Sequence, residues 1–317
     1  MGSFDFSVVD FSILNIADVR GSEVPLLREC DQLTALADEV MAALKEFGIC
    51  YLKNHGISPE KTKTLFDLTR EVFALPTEVK MRMSRRLDAL YHGYCTREIE
   101  RPKDVTSVER YETFMTCPRQ AFAWPDEVPA FKPASLDVFY EFEELSFRVF
   151  DVLAVGLGLQ DRGFLRRSHM EDSGDLRNFL YHSYPDDFVP KPQQVRLTEH
   201  YDVGTVSFVY QRDVGGLEIQ TKSGKWIGVP CIPGTVLLLT GKLMERWTSD
   251  RLKAVFHRVA IPEDQASRRK DRQSLAFFPL TADDFEFRCL DGSNKYDPIT
   301  LRDYCAKNIL KGEYVDV

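Results

Sequence analysis

The sequence predicts a mainly β protein with flanking helices, an α+β chain built on a jelly-roll core, and three observations carry that expectation. Before about residue 190 the apolar residues recur mostly at helical spacing. Beyond it, short apolar runs follow one another at close intervals, separated by the turn pairs Gly215-Gly216, Ser223-Gly224 and Pro233-Gly234. The chain is also long enough, at 317 residues with 44% hydrophobic and 28% charged, to bury a sizeable core. Regular short strands in a chain of this size indicate a sandwich or barrel, with the helices packed on it.

The helical elements come first. From Leu33 to Leu44 the residues Leu33, Leu36, Ala37, Val40, Met41 and Leu44 define one apolar helix face. Ile49-Cys50-Tyr51-Leu52 is a strand-like run closed by the turn-prone Asn54-His55-Gly56. Ser58 before Pro59 supplies an N-cap and a first helical position for a helix reaching Leu75. A further helix is expected from near Ser135, carrying Phe139, Phe142, Leu145, Val149 and Leu153 and stopping at Gly156 and Gly158. Pro185 to Gln194, rich in Pro and Asp, reads as a loop. Strands are expected around Val206–Tyr210, Leu217–Ile219, Trp226–Val229, Val236–Leu239, Val255–Val259 and Ser274–Phe278.

Charge and composition narrow the function classes. Forty-one basic against 49 acidic residues leave a net charge of −8, so no global positive field exists to hold nucleic acid. The longest strongly apolar stretch, Val152 to Leu159, falls far short of the ~20 residues a membrane span needs. The start, Met1-Gly2-Ser3-Phe4-Asp5-Phe6, has no basic or apolar leader, and Phe6 stands where a myristoylation motif wants Ser or Thr. Seven cysteines, an odd number with no CxxC pair, fit a reduced compartment. A cytoplasmic protein acting on a small molecule is expected, with no nucleic-acid or membrane partner. The sequence leaves the oligomeric state open.

Few residues can do chemistry. His200-Tyr201-Asp202 is a His-x-Asp triplet just ahead of a strand; in an extended segment residues two apart share a face and can grip one ion. His257 follows 57 residues later in its own strand-like run. Two imidazoles and a carboxylate make the facial triad of non-haem Fe(II) oxygenases. A His-x-Asp triplet is common by chance, however, and a lone strand histidine is more often a hydrogen-bonded core residue. Arg272-Gln273-Ser274 adds weight. Arg272 and Ser274 share a strand face, and an arginine inside an apolar barrel needs an anion such as a dicarboxylate.

Taken in order, His200-Tyr201-Asp202-Val203-Gly204, Gln211, Gly215-Gly216-Leu217, Trp226, Pro233-Gly234, Trp247-Thr248, His257-Arg258-Val259 and Arg272-Gln273-Ser274 resemble the Fe(II)/2-oxoglutarate-dependent dioxygenases. The N-terminal Phe47-Gly48-Ile49 to Asn54-His55-Gly56 is similar to the isopenicillin N synthase-like branch. The resemblance spans about Val9 to Phe278. It implies a double-stranded β-helix wrapped by helices, with residues 1–130 as the branch's N-terminal region and 131–317 as the dioxygenase jelly roll, the two forming one compact unit. It further implies His200, Asp202 and His257 as iron ligands, Arg272 and Ser274 as holders of the distal carboxylate of 2-oxoglutarate, and Tyr184, before Pro185, as a further hydrogen-bond partner of that cosubstrate. His55 resembles a structural residue.

The chain departs from the family pattern at Tyr201 (usually Thr), His182 (often Asn) and Gly241-Lys242 (usually Gly-Asp). What the resemblance implies is oxidation of an unactivated C–H bond of a small organic molecule by Fe(II), 2-oxoglutarate and O₂, in specialised metabolism, giving hydroxylation, desaturation or cyclisation. The alternative is an iron oxidase of the isopenicillin N synthase type, in which the Arg-x-Ser pair holds the substrate instead. By family position Tyr91, Tyr94, Glu112, Phe114, Tyr181, His182 and Tyr201 are the substrate-pocket candidates. Tyr91, Tyr94 and Phe114 serve equally well as helix–barrel packing.

Overall fold

The computed structural model describes residues 5–18, 31–87, 90–96, 110–190 and 194–308; side chains from 85 to 91 lie outside that description. The helices are α1 (Asp31–Phe47), α2 (Pro59–Phe73), α3 (Thr77–Arg82), α4 (Phe131–Leu157), α5 (Phe164–Ser168) and α6 (Lys242–Trp247), followed by two short ones over Gln265–Arg268 and Leu301–Asn308. The strands that build the core are β1 (Val8–Asp10), β2 (Ile49–Lys53), β3 (Ser84–Leu87), β4 (Leu90–Thr96), β5 (Tyr111–Thr116), β6 (Asp175–Tyr181), β7 (Val195–His200), β8 (Val206–Gln211), β9 (Leu217–Gln220), β10 (Trp226–Gly228), β11 (Thr235–Thr240), β12 (His257–Ala260) and β13 (Arg272–Phe278).

Three layers result. A nine-stranded sheet runs in the order β1-β2-β11-β8-β13-β6-β5-β4-β3, and a four-stranded sheet in the order β10-β9-β12-β7. All neighbours are antiparallel except β1 and β2. The sheets face one another through two clusters: Ile49, Tyr51, Leu237 and Leu239 against Leu217 and Ile219, and Phe179, Tyr181 and Ala276 against Leu197 and Val259. The helices cover the other face of the large sheet, where Phe139 and Phe142 of α4 pack on Phe208 and Phe277. This is the jelly roll with flanking helices that the periodicity predicts.

The local signals act as expected at α1 and α2. Leu33, Leu36, Ala37, Val40, Met41 and Leu44 are all buried along α1, and the Ser58 side chain caps α2 by accepting from Lys61 N. Helix α4 departs from expectation at both ends. It starts four residues earlier, because Pro133 sits in the first turn, where its missing N–H costs nothing. It also runs through Gly156, where a Cβ would overlap Met41 of α1, and ends with Gly158 at φ +74°.

The first 190 residues are also less helical than the periodicity predicts. Strands β3 to β6 were not legible as strands. Every residue of β5 and β6 is buried, so both faces are covered and neither strand shows apolar–polar alternation. Their pairing ties the early part of the chain to the late part, with β5 on β6 and β2 on β11.

Candidate metal centre and cosubstrate site

Register brings the distant histidines together. β12 lies beside β7 with His257 directly opposite His200, and the two imidazole centroids are 4.2 Å apart. Asp202 is not in the extended segment the spacing predicts: β7 ends at His200, and Asp202 stands in the turn that follows. That turn is held by the loop after β11, where Gly241 N donates to Thr205 O and Lys242 N to Asp202 O. A Cβ at Gly241 would overlap the Gly204 carbonyl, so only glycine permits this approach.

The three side chains offer ligand atoms that all lie within 4.8 Å of one another, and they are buried at 5%, 6% and 6% exposure. His200 Nε2 is 3.6 Å and His257 Nε2 3.8 Å from Asp202 Oδ1. The Nδ1 of His200 lies 2.8 Å from Thr198 O, and that of His257 3.0 Å from Val255 O. A carbonyl only accepts, so each Nδ1 carries the proton and each Nε2 turns its lone pair toward the centre. Ser207 Oγ donates to Asp202 Oδ2 at 2.5 Å, which leaves Oδ1 for the centre. Two imidazole lone pairs and a carboxylate oxygen, each oriented from behind, form a donor set that suits Fe(II).

On the facing sheet, Arg272 is 1% exposed. It donates from Nε to Gly215 O (3.2 Å), from Nη1 to Ser274 Oγ (3.0 Å) and from Nη2 to Gln211 Oε1 (3.3 Å), and its guanidinium lies 4.9 Å from the Tyr181 ring. Burial pushes its pKa down, yet among the described residues no carboxylate forms an ion pair with it. A buried cation held only by neutral groups fits a ligand carboxylate. Tyr184 is also buried. It stacks on Phe188 at 4.1 Å and lies under the guanidinium of Arg196, 5.6 Å from its ring centroid.

The substrate-pocket candidates divide. Tyr181 faces the space between the sheets, packed with Tyr111 and Phe179. Tyr201 lies at the metal-side loop, 4.7 Å from Phe256 and beneath Lys242. His182 Nε2 is 2.8 Å from Glu112 Oε2, while Glu112 is also bonded by Tyr94 Oη at 2.5 Å and by Lys80. Tyr94 and Phe114 correct the pocket expectation. Tyr94 packs on Phe73, and Phe114 on Trp124 and Phe131, in the core between helices and sheet. Alternation along β4 and β5 is the reason: odd-numbered Tyr111 looks between the sheets, while even-numbered Glu112 and Phe114 look toward the helices. The Tyr91 side chain lies outside the described residues. Sequence reasoning missed Ser207, Tyr111 and Phe179. Ser207 alone had a signal, because it shares a face with Val209 and Gln211 on the strand that follows the triplet.

Among the described residues no helix is long and apolar enough to cross a membrane. A second group, His92, Cys117 and Asp175, also brings metal-ligand atoms within 4.8 Å of one another.

Comparison with known proteins agrees with this geometry. Residues 174–280 match the 2OG-Fe(II) oxygenase superfamily, and residues 14–133 match the profile described as non-haem dioxygenase in morphine synthesis N-terminal. The 2-oxoglutarate-Fe(II) type oxidoreductase ppzD of Metarhizium majus is 27% identical over 272 residues, 76% of this chain and 77% of that protein. Gibberellin 2-beta-dioxygenase 2 of Arabidopsis thaliana is 26% identical over 245 residues, 75% of this chain and 69% of that protein. A full-length Neurospora crassa protein crystallised with alpha-KG has the same fold, with a TM-score of 0.83 at 23% identity over 98% of both chains. The chain belongs to the 2OG-Fe(II) oxygenase superfamily, enzymes that use Fe(II) and 2-oxoglutarate.

Proposed function

We propose that this enzyme oxidises an unactivated C–H bond of a small organic molecule in specialised metabolism, with iron held by His200, Asp202 and His257 and the distal carboxylate of 2-oxoglutarate held by Arg272, Ser274 and Tyr184. The observation that carries this reading is the pairing of an inward-facing His-Asp-His donor set with a buried guanidinium that has no acidic partner among the described residues. When bound there, the iron supplies O₂ activation coupled to decarboxylation of 2-oxoglutarate, so that one oxygen atom leaves in succinate and CO₂ is released. The chain's own residues supply placement. The Thr198 and Val255 carbonyls fix the imidazole tautomers, and Ser207 fixes the carboxylate. Arg272 holds the far end of the cosubstrate and turns a bimolecular encounter into a positioned one. The apolar walls of Leu197, Val259, Phe179 and Ala276 limit water.

In this reading Tyr181, Tyr201 and His182 shape the substrate space. Residues 1–130 and 131–317 act as one unit, because β2 and β5 complete the sheet that carries β13. A cytoplasmic location fits six described cysteines of which none is bonded to another. The net charge of −8 favours a small-molecule substrate over nucleic acid. The test is a stoichiometric assay on the iron-loaded enzyme. One succinate formed per product supports the proposal, and product formed without succinate assigns the chain to the oxidase chemistry of isopenicillin N synthase instead.

A further inference from the structure

Arg196, on β7 four residues before His200, has no role in the site as described so far. It is 1% exposed. Its Nη2 donates to Lys270 O at 3.1 Å, while Nε and Nη1 have no hydrogen-bond partner. Lys270 lies two residues ahead of Arg272, so the carbonyl that holds one guanidinium sits on the same segment that delivers the other. The two cations flank the Tyr181–Tyr184 segment, with Arg272 over the Tyr181 ring and Arg196 over the Tyr184 ring. Burial pushes Arg272 down, and the charge of Arg196 pushes the same way; burial likewise pushes Arg196 down. Asp271, the acid that acts on Arg196, already accepts from Ser183 N at 2.9 Å.

A buried guanidinium with two unpartnered donors and no ion-paired acid among the described residues is costly unless an anion reaches it. We propose that Arg196 is a second cationic anchor for the distal carboxylate of 2-oxoglutarate, acting beside Arg272. The inference rests on the cosubstrate reading given above. In it Arg272 and Ser274 receive the carboxylate from one sheet, and the unpartnered Nε–H and Nη1–H of Arg196 receive it from the other. Arg196 is thus a residue that determines specificity for a dicarboxylic 2-oxo acid, its guanidinium packed against the Tyr184 ring.

The test is anaerobic calorimetric titration of the Fe(II)-loaded enzyme, without turnover, using 2-oxoglutarate and 2-oxopentanoate, which keeps the 2-oxo acid head but lacks the distal carboxylate. Loss of a charge-assisted pair predicts that Arg196→Met binds 2-oxoglutarate about ten- to a hundredfold more weakly and leaves 2-oxopentanoate binding unchanged. Equal weakening of both ligands, or unchanged 2-oxoglutarate binding, overturns the assignment of Arg196 while the wild type still prefers the dicarboxylate. A wild-type enzyme that does not distinguish the two acids sinks the cosubstrate reading and this inference with it. Should Arg196→Met not fold, Arg196→Gln keeps a donor for the Lys270 carbonyl without the charge and faces the same two outcomes.

Discussion

Replacing Arg272 by lysine keeps a positive charge at the deep end of the site but removes the fork. In the structure the guanidinium donates to three different acceptors, Gly215 O, Ser274 Oγ and Gln211 Oε1. A lysine ammonium is a single compact donor group on a flexible stem, so it cannot serve those acceptors and grip both oxygens of a carboxylate together. One charge-assisted hydrogen bond of the bidentate pair is lost, worth about 1.5–3 kcal/mol, or roughly ten- to 150-fold in cosubstrate affinity. Buried Gln211 Oε1 left without a donor adds about 1–3 kcal/mol of lost stability. The assay is succinate formation against 2-oxoglutarate concentration, with urea unfolding of the same protein. The half-saturating concentration should rise while the protein remains folded. Wild-type saturation by Arg272→Lys would show that the cosubstrate carboxylate sits elsewhere.

Three further outcomes are expected from the structure. Ser207→Ala removes the 2.5 Å hydrogen bond that orients Asp202 from behind, and should weaken Fe(II) binding by about 10–100-fold in a metal titration; unaltered affinity means Asp202 is oriented by something else. Lys80→Met leaves buried Glu112 without its cation and should cost about 3–5 kcal/mol in urea unfolding, because an uncompensated buried charge is expensive; a loss well under ~1 kcal/mol would show that Tyr94 and His182 suffice. His55 and His169 are both pushed by burial from 6.5 down to about 4. The folded state therefore prefers them neutral, and their stabilising contribution is complete above the unfolded value and lost as pH falls from 6.5 toward 4. His169, bonded to Leu165 O and Thr205 Oγ1 and stacked on Phe150, is the clearer probe. His169→Phe should narrow the stability gap between about pH 7 and about pH 4.5, and an unchanged gap would assign acid lability to other groups.

Some of this molecule is written in local sequence. Helices α1 and α2 are set by apolar spacing and by the Ser58-Pro59 start, signals that act within a few residues. The strands after residue 205 are bounded by glycine and proline turns, and their positions along the chain match expectation within one or two residues. The identity of the candidate chemical groups, two histidines, an aspartate and an Arg-x-Ser pair, is likewise a property of the sequence, because the metal and the dicarboxylate demand those atom types wherever they are placed.

What tertiary structure alone decides is which groups meet. The approach of His257 to His200 depends on β12 lying beside β7, a pairing that no local signal encodes across 57 residues. Strands β5 and β6 escaped periodicity because a sheet covered on both faces has no polar side to mark it. The opposite directions of Tyr111 and Phe114 follow from a register that one residue's slip would invert. Arg196 reads in sequence as one more charged residue in a strand. Only burial against Tyr184, far from bulk water, gives its charge a consequence, since desolvation is a property of the assembled surroundings and not of the side chain.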